Sequence, residues 1–206
     1  MNYYDSYKNH IFYKINAIQS TIFERLLPVY NDIETEAEEV AKAKYNELGE
    51  NFNPETMDKS DAIEKAWEEG GEHYALQHAM KAEFLLSTVT WLFHLFEKDC
   101  REMCPSLYNK PEELKTKFEE MGINCDNQSD WYKTNTELRL VANTIKHGEG
   151  RSSRELQAIR SEYFNTKSSY LTDSKIEITH QDIQSYIEHM KSFWSSFFDK
   201  VLQQSR

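Results

Sequence analysis

Residues 136–151 read TELRLVANTIKHGEGR and hold the side chains of this chain best suited to acid–base chemistry on an anion. Arg139, Asn143 and His147 recur at i, i+4 and i+8, a spacing that stacks them along one ridge of a helix. Arg139 offers a planar fork of donors matched to a phosphate, and Asn143 can orient a hydroxyl or phosphoryl oxygen. His147 can take up and return a proton near neutral pH, and the carbonyl end of a helix favours a cation there. Lys146 and His147 followed by Gly148 also make an ordinary helix C-terminus, in which both side chains only complement the dipole. The spacing alone thus supports a capping role and a catalytic one.

A helix must hold this ridge against a core. At about 100° per residue, with Arg139 at zero, Leu138, Val141, Ala142, Ile145 and Trp131 fall between about 200° and 300°. Arg139, Asn143, Lys146, His147 and Tyr132 fill the arc from about 340° round to about 80°. Leu140, near 100°, borders the ridge and is expected at a covered surface such as a subunit interface. The helix is predicted to start near Ser129 or Asp130 and to stop at Gly148. A shorter helix over Arg154 to Phe164 follows, then a brief extended piece, Lys175 to Ile178. Thr179-x-x-Asp182 reads as a capping box for a last helix. That helix repeats Ile183, Tyr186/Ile187, Met190, Phe193/Trp194, Phe197/Phe198 and Val201/Leu202, so its aromatic stripe is core.

Upstream, Ile11, Ile15, Ile18, Ile22 and Leu26 form an apolar stripe that Pro28 should break. A polar, solvated helix is expected up to about Gly49. A long helix, capped by Ser60 or Asp61 and weakened at Gly70-Gly71, runs to about Met103. Pro111 fits the first position of a short helix ending before Gly122. The two long apolar helices need each other, so residues 1–206 are read as a single all-α domain.

Composition bounds the function. A chain of 206 residues with 39% hydrophobic and 13% aromatic content can build a core and is not disordered. Six Gly and four Pro exclude collagen-like classes and make a turn-dense β-sandwich a poor fit. A net charge of −11 argues against wholesale coating of nucleic acid or an anionic membrane. The charge is unevenly divided. Residues 131–170 hold seven basic and four acidic residues, a net of +3, around the ridge. Residues 31–72 hold 14 acidic and 4 basic residues, a net of −10, which fits a solvated helix or an acidic nucleic-acid mimic. The N-terminus lacks the basic and apolar regions of a secretory signal, and Phe84 to Phe96 is too short to span a bilayer. Three cysteines are too few for a disulfide framework, so reduced thiols, a cytoplasmic location and no membrane partner are expected.

Other constellations fit chemistry less well. Cys100 and Cys104 share a helix with His94, and Cys125 follows, but no CxxC pair exists. Glu68, Glu69, Glu72, His73 and His78 lack the ExxH and HExxH spacings of di-iron and zinc sites. No GxxxxGK[ST] or GxSxG motif occurs. No metal and no cofactor is therefore expected.

Asn143-Thr-Ile-Lys146-His147-Gly148 at a helix end, then a loop, a short extended piece, a capping box and an aromatic helix with Ser192-Phe193-Trp194, resembles the HEPN superfamily. The resemblance spans about residues 129–205. It implies an all-α HEPN-like bundle of about five to six helices, commonly dimeric, and in many members a metal-independent endoribonuclease of toxin–antitoxin or phage-defence systems. Asn143 and His147 match the polar residue and histidine of the family signature. Ala142 stands where its arginine is expected, and Arg139, one turn earlier, is the nearest candidate. The implied chemistry is transesterification of an RNA substrate. His147 would move a proton at the 2′-hydroxyl or the leaving 5′-oxygen, Arg139 would stabilise the phosphorane, and Asn143 would position the phosphate. Lys146, Arg151 and Arg154 would gather the RNA backbone. A homodimer would bring two ridges together, and an antitoxin or defence protein would be a further partner. The same fold without the chemistry, as a helical interaction module, is the alternative.

Overall fold

Local chemistry sets most helix boundaries in the structure, a computed structural model that describes residues 3–55, 58–107, 110–164 and 176–204. The first helix, α1 (Tyr3–Ser20), widens into a π-helical turn, Thr21–Leu26, and closes in a 3-10 turn, Leu27–Tyr30, that contains Pro28. The wide turn shifts the apolar phase. Ile11, Ile15, Ile18 and Ile22 are buried, whereas Leu26, expected on the same stripe, is 43% exposed.

After α2 (Ile33–Glu50) comes α3 (Lys59–Met103), unbroken over 45 residues. Asp58 accepts a hydrogen bond from the Ser60 N–H at 3.0 Å, so Asp58, not Ser60 or Asp61, caps α3. The helix α4 (Pro111–Glu120) ends where Gly122 adopts φ 78°, and the Ile123 N–H returns to the Phe118 carbonyl at 2.9 Å.

Ser129 Oγ accepts from the Tyr132 N–H at 3.1 Å and starts the helix that bears the ridge. That helix passes through a π-helical turn, Tyr132–Glu137, into α5 (Leu138–His147), and stops at Gly148 with φ 67°. A helix predicted over 154–164 is instead α6 (Arg151–Ile159) followed by a 3-10 turn, Ser161–Phe164. Lys175 lies outside the described residues. Ile176 and Ile178 are buried and Glu177 is exposed, and the Glu177 N–H donates to the Tyr163 carbonyl at 2.8 Å. The capping box forms as spelled: the Thr179 N–H donates to Asp182 Oδ2 at 2.9 Å, and the Asp182 N–H donates to Thr179 Oγ1 at 3.2 Å. It opens α7 (His180–Gln204). Among the described residues the fold is all-α, with no strand.

The chain groups into two compact units. One comprises residues 1–21, 84–167 and 174–206. Its core is an aromatic cluster in which Phe96 of α3, Phe118 of α4, Trp131 and the α7 residues Phe193, Trp194 and Phe197 pack ring against ring. Phe118 stands edge-on to Trp131 with centroids 4.9 Å apart, and Phe96 meets Phe193 at 5.4 Å. Along α7, α1 packs with Lys8 paired to Asp199 at 2.8 Å and Gln19 bonded to Gln184 at 3.1 Å.

The other unit is built from residues 22–83. Here α2 lies so close to α3 that a Cβ at Gly70 would stand 2.8 Å from the Ala37 carbonyl oxygen and 2.9 Å from Ala41 Cβ. Gly70 permits this approach and does not interrupt the helix. Ile33, Ala37, Ala62 and Ala66 are buried in this unit, and His73 Nε2 lies 3.6 Å from the Glu36 carboxylate. No helix among the described residues is long and apolar enough to cross a membrane.

Candidate functional site

One side of α5 is core: Leu138, Leu140, Val141, Ala142 and Thr144 are all buried, and the Thr144 hydroxyl donates back to the Leu140 carbonyl at 2.8 Å. The other side carries the predicted ridge. Arg139 and His147 are exposed, Asn143 is half-buried, and Lys146 is exposed on the same last turn. Asn143 and His147 make no side-chain hydrogen bond or ion pair among the described residues. Their polar atoms are therefore available to a ligand.

Leu140 departs from expectation. It is 3% exposed within this one chain, in which α6 packs against α5. A subunit interface is not needed to bury it. Ala142, at the position where an arginine is expected, is equally buried, so a long cation there would point into the core. Any guanidinium serving the ridge must come from elsewhere, and Arg139 is on the correct side.

The basic residues of residues 131–170 divide into two groups. Lys133 is paired to Glu137 at 2.6 Å, Arg151 to Glu155 at 2.6 Å, and Arg160 to Glu137, Glu162 and Asp182. Arg139, Lys146 and Arg154 are exposed and outside any ion pair among the described residues. Arg151, expected to gather RNA, is thus partly neutralised. Glu155 is held below the usual carboxylate range first by its hydrogen bond from Arg151 and, through space, also by Arg139. Lys167 lies outside the described residues.

Arg139 also lines a cavity of about 350 Å³ with Asn135, Thr136, Lys115, Glu112 and Glu97. Asn143 and His147 do not line it. A wider depression of about 800 Å³, bounded by Lys115, Glu119 and residues 122–128, shares no residue with the ridge.

The sequence-level pattern missed a buried polar network beneath the ridge helix. Glu137 is 1% exposed, yet its carboxylate accepts hydrogen bonds from Lys133, Arg160 and the Tyr186 hydroxyl, the last at 2.9 Å. Arg160 reaches Asp182 at 3.1 Å and lies over the Tyr163 ring, 4.1 Å from its centroid. The Tyr163 hydroxyl donates to Asp182 at 2.9 Å. Burial pushes the Tyr163 and Tyr186 phenols well above the usual tyrosine value, so both stay protonated as donors. The network joins the π-helical turn, the 161–164 turn and the capping box of α7, and it fixes the start of α5. One signal was present: a tyrosine within a wholly apolar stripe needs a buried partner for its hydroxyl.

The three cysteines are free. Burial pushes the Cys104 and Cys125 thiols up to about 11, away from thiolate chemistry. No grouping of metal-ligating side chains occurs among the described residues.

The solvent-facing ridge of Arg139, Asn143 and His147 thus has donors, a proton carrier and access, while the Glu137 network holds its helix in place. Comparison with family models, with curated proteins and with solved structures returns no match to this chain.

Proposed function

We propose that this protein is a metal-independent endoribonuclease of the HEPN type, acting as a homodimer in the cytoplasm in a toxin–antitoxin or phage-defence setting. The observation that carries the reading is the ridge itself. On one accessible side of α5, whose other side is core, stand a guanidinium, a carboxamide and an imidazole that make no side-chain hydrogen bond or ion pair among the described residues. In the reaction, the ribose 2′-oxygen attacks the adjacent phosphorus as the bond to the 5′-oxygen breaks, leaving a cyclic phosphate and a free 5′-hydroxyl. His147 carries the proton at one of these oxygens, water exchanges the proton at the other, Arg139 offsets the added charge on the phosphorane, and Asn143 holds a non-bridging oxygen. Lys146 and Arg154 supply attraction for the RNA backbone. Purified protein is expected to cut structured RNA in the presence of EDTA, and His147→Ala to reduce cleavage by at least about a hundredfold. Equal cutting by the variant overturns the assignment of the site.

A second reading has its own observation. Ala142 is buried where the family signature carries arginine, and Arg139 shares its surroundings with Glu155. Those features suit a HEPN-like module that binds an antitoxin or defence protein without catalysis. Absence of nuclease activity, together with unimpaired partner binding by the His147→Ala protein, selects this reading.

A further inference from the structure

Within the unit of residues 22–83, α2 and α3 enclose a cleft of about 300 Å³. It is lined by Trp67, Gly70, Gly71 and Tyr74 on α3 and by Glu34 and Glu38, with two alanines, on α2. We infer that this cleft binds an arginine side chain presented by a basic polypeptide segment.

The glycines differ in a way that points to an occupant. Gly70 is accounted for by packing, because any Cβ there meets α2. Gly71 is not: a Cβ there meets nothing within 4 Å, and its backbone stays outside the left-handed region. A glycine inside a helix is disfavoured, so packing and conformation both leave Gly71 unexplained. Its lack of a side chain keeps the cleft open.

The aromatic residues of the cleft are unusual for a surface left open. Trp67 is 67% exposed, a large indole left in water at the mouth of the cleft. The Tyr74 ring is held in place against His78, with centroids 4.3 Å apart. Glu34 and Glu38 are one turn apart, exposed, and without a hydrogen bond or ion pair among the described residues. Two like charges at that spacing repel, and a cation between them relieves the repulsion. Residues 31–72 add a net charge of −10, which disfavours nucleic acid and anionic lipid and attracts a basic chain. A guanidinium suits the combination better than an ammonium. It is flat enough to stack on indole and phenol, and its fork meets carboxylates bidentately.

The test is an NMR titration of the full-length protein with acetyl-arginine amide and, separately, with its neutral isostere acetyl-citrulline amide. The Trp67 indole resonance, assigned with Trp67→Phe, is expected to shift saturably with the arginine compound and about tenfold more weakly with citrulline. Gly71→Leu, which fills the cleft while favouring the helix, should abolish the response. The double variant Glu34→Gln/Glu38→Gln, a surface change that spares the core, should weaken it about tenfold. The proposal is overturned by equal responses to the two compounds, by no saturable shift, or by a response that survives Gly71→Leu. A self-association that Gly71→Leu disrupts would put a second copy of the chain in the cleft and overturn it as well.

Discussion

The carboxylates of Glu137 and Asp99 are both 1% exposed and show what single buried charges do to this protein. Glu137 has its attraction to Lys133 and Arg160 and a hydrogen bond from Tyr186. Removing it takes the shared acceptor from Lys133, Arg160 and Tyr186 and leaves Arg160 to Glu162 and Asp182 alone. Glu137→Ala is therefore expected to cost roughly 3 kcal/mol in urea unfolding, and Glu137→Gln less, since the amide still accepts one bond. Asp99 is a different case. Burial raises its pKa, and the bond and charge of Lys14 only partly oppose that. A carboxyl raised in the folded state binds protons more readily there than in the unfolded chain. Its contribution is thus fully present below the ordinary carboxylate value and lost as pH rises through the raised one. Asp99→Asn should gain stability relative to wild type as pH increases across that window, in paired urea titrations at several pH values. A pH-independent difference would show that Asp99 titrates alike in both states.

At the scale of elements, two adjacent glycines in α3 make opposite predictions. Gly70→Ala drives a Cβ onto the backbone of α2 and is expected to destabilise by roughly 1–3 kcal/mol. Gly71→Ala enters open space and should stabilise by roughly 0.5–1 kcal/mol through helix propensity. Thermal unfolding of the two variants checks the sign, and destabilisation of similar size in both would contradict the close approach of α2. The π-helical turns are the other elements that matter. Regular periodicity fails at their ends: Leu26, the last residue of one turn, is exposed, and Glu137, the last of the other, is buried. Regular periodicity located Leu138, Val141 and Ala142 correctly, and Trp131 ahead of the turn as well. It had no means of seeing that an acid before them is buried.

For the whole molecule, the unevenness of charge outweighs its sum. The net charge of −11 coexists with a ridge where Arg139, Lys146 and Arg154 remain exposed and outside ion pairs among the described residues. If these three contact phosphates in single-stranded RNA, log affinity should fall with log salt with a slope of about −2. Titrations of a fluorescent RNA between low and moderate salt measure it. A slope near zero would remove electrostatic capture from the proposed function.

Elements with local causes were legible in the amino-acid order. The all-α class, the stops at Gly122 and Gly148, the capping box and the aromatic core stripe each follow from neighbours a few residues apart, since caps and periodicity act over one or two turns. The ridge of Arg139, Asn143 and His147 was legible for the same reason. Only the tertiary structure decided that Leu140 is buried within one chain, that Arg160 turns to Glu137 and away from solvent, and that Gly70 serves a helix contact. These depend on which groups distant in the chain arrive at the same place. A buried charge or a missing Cβ has no meaning until its partner from another element is beside it.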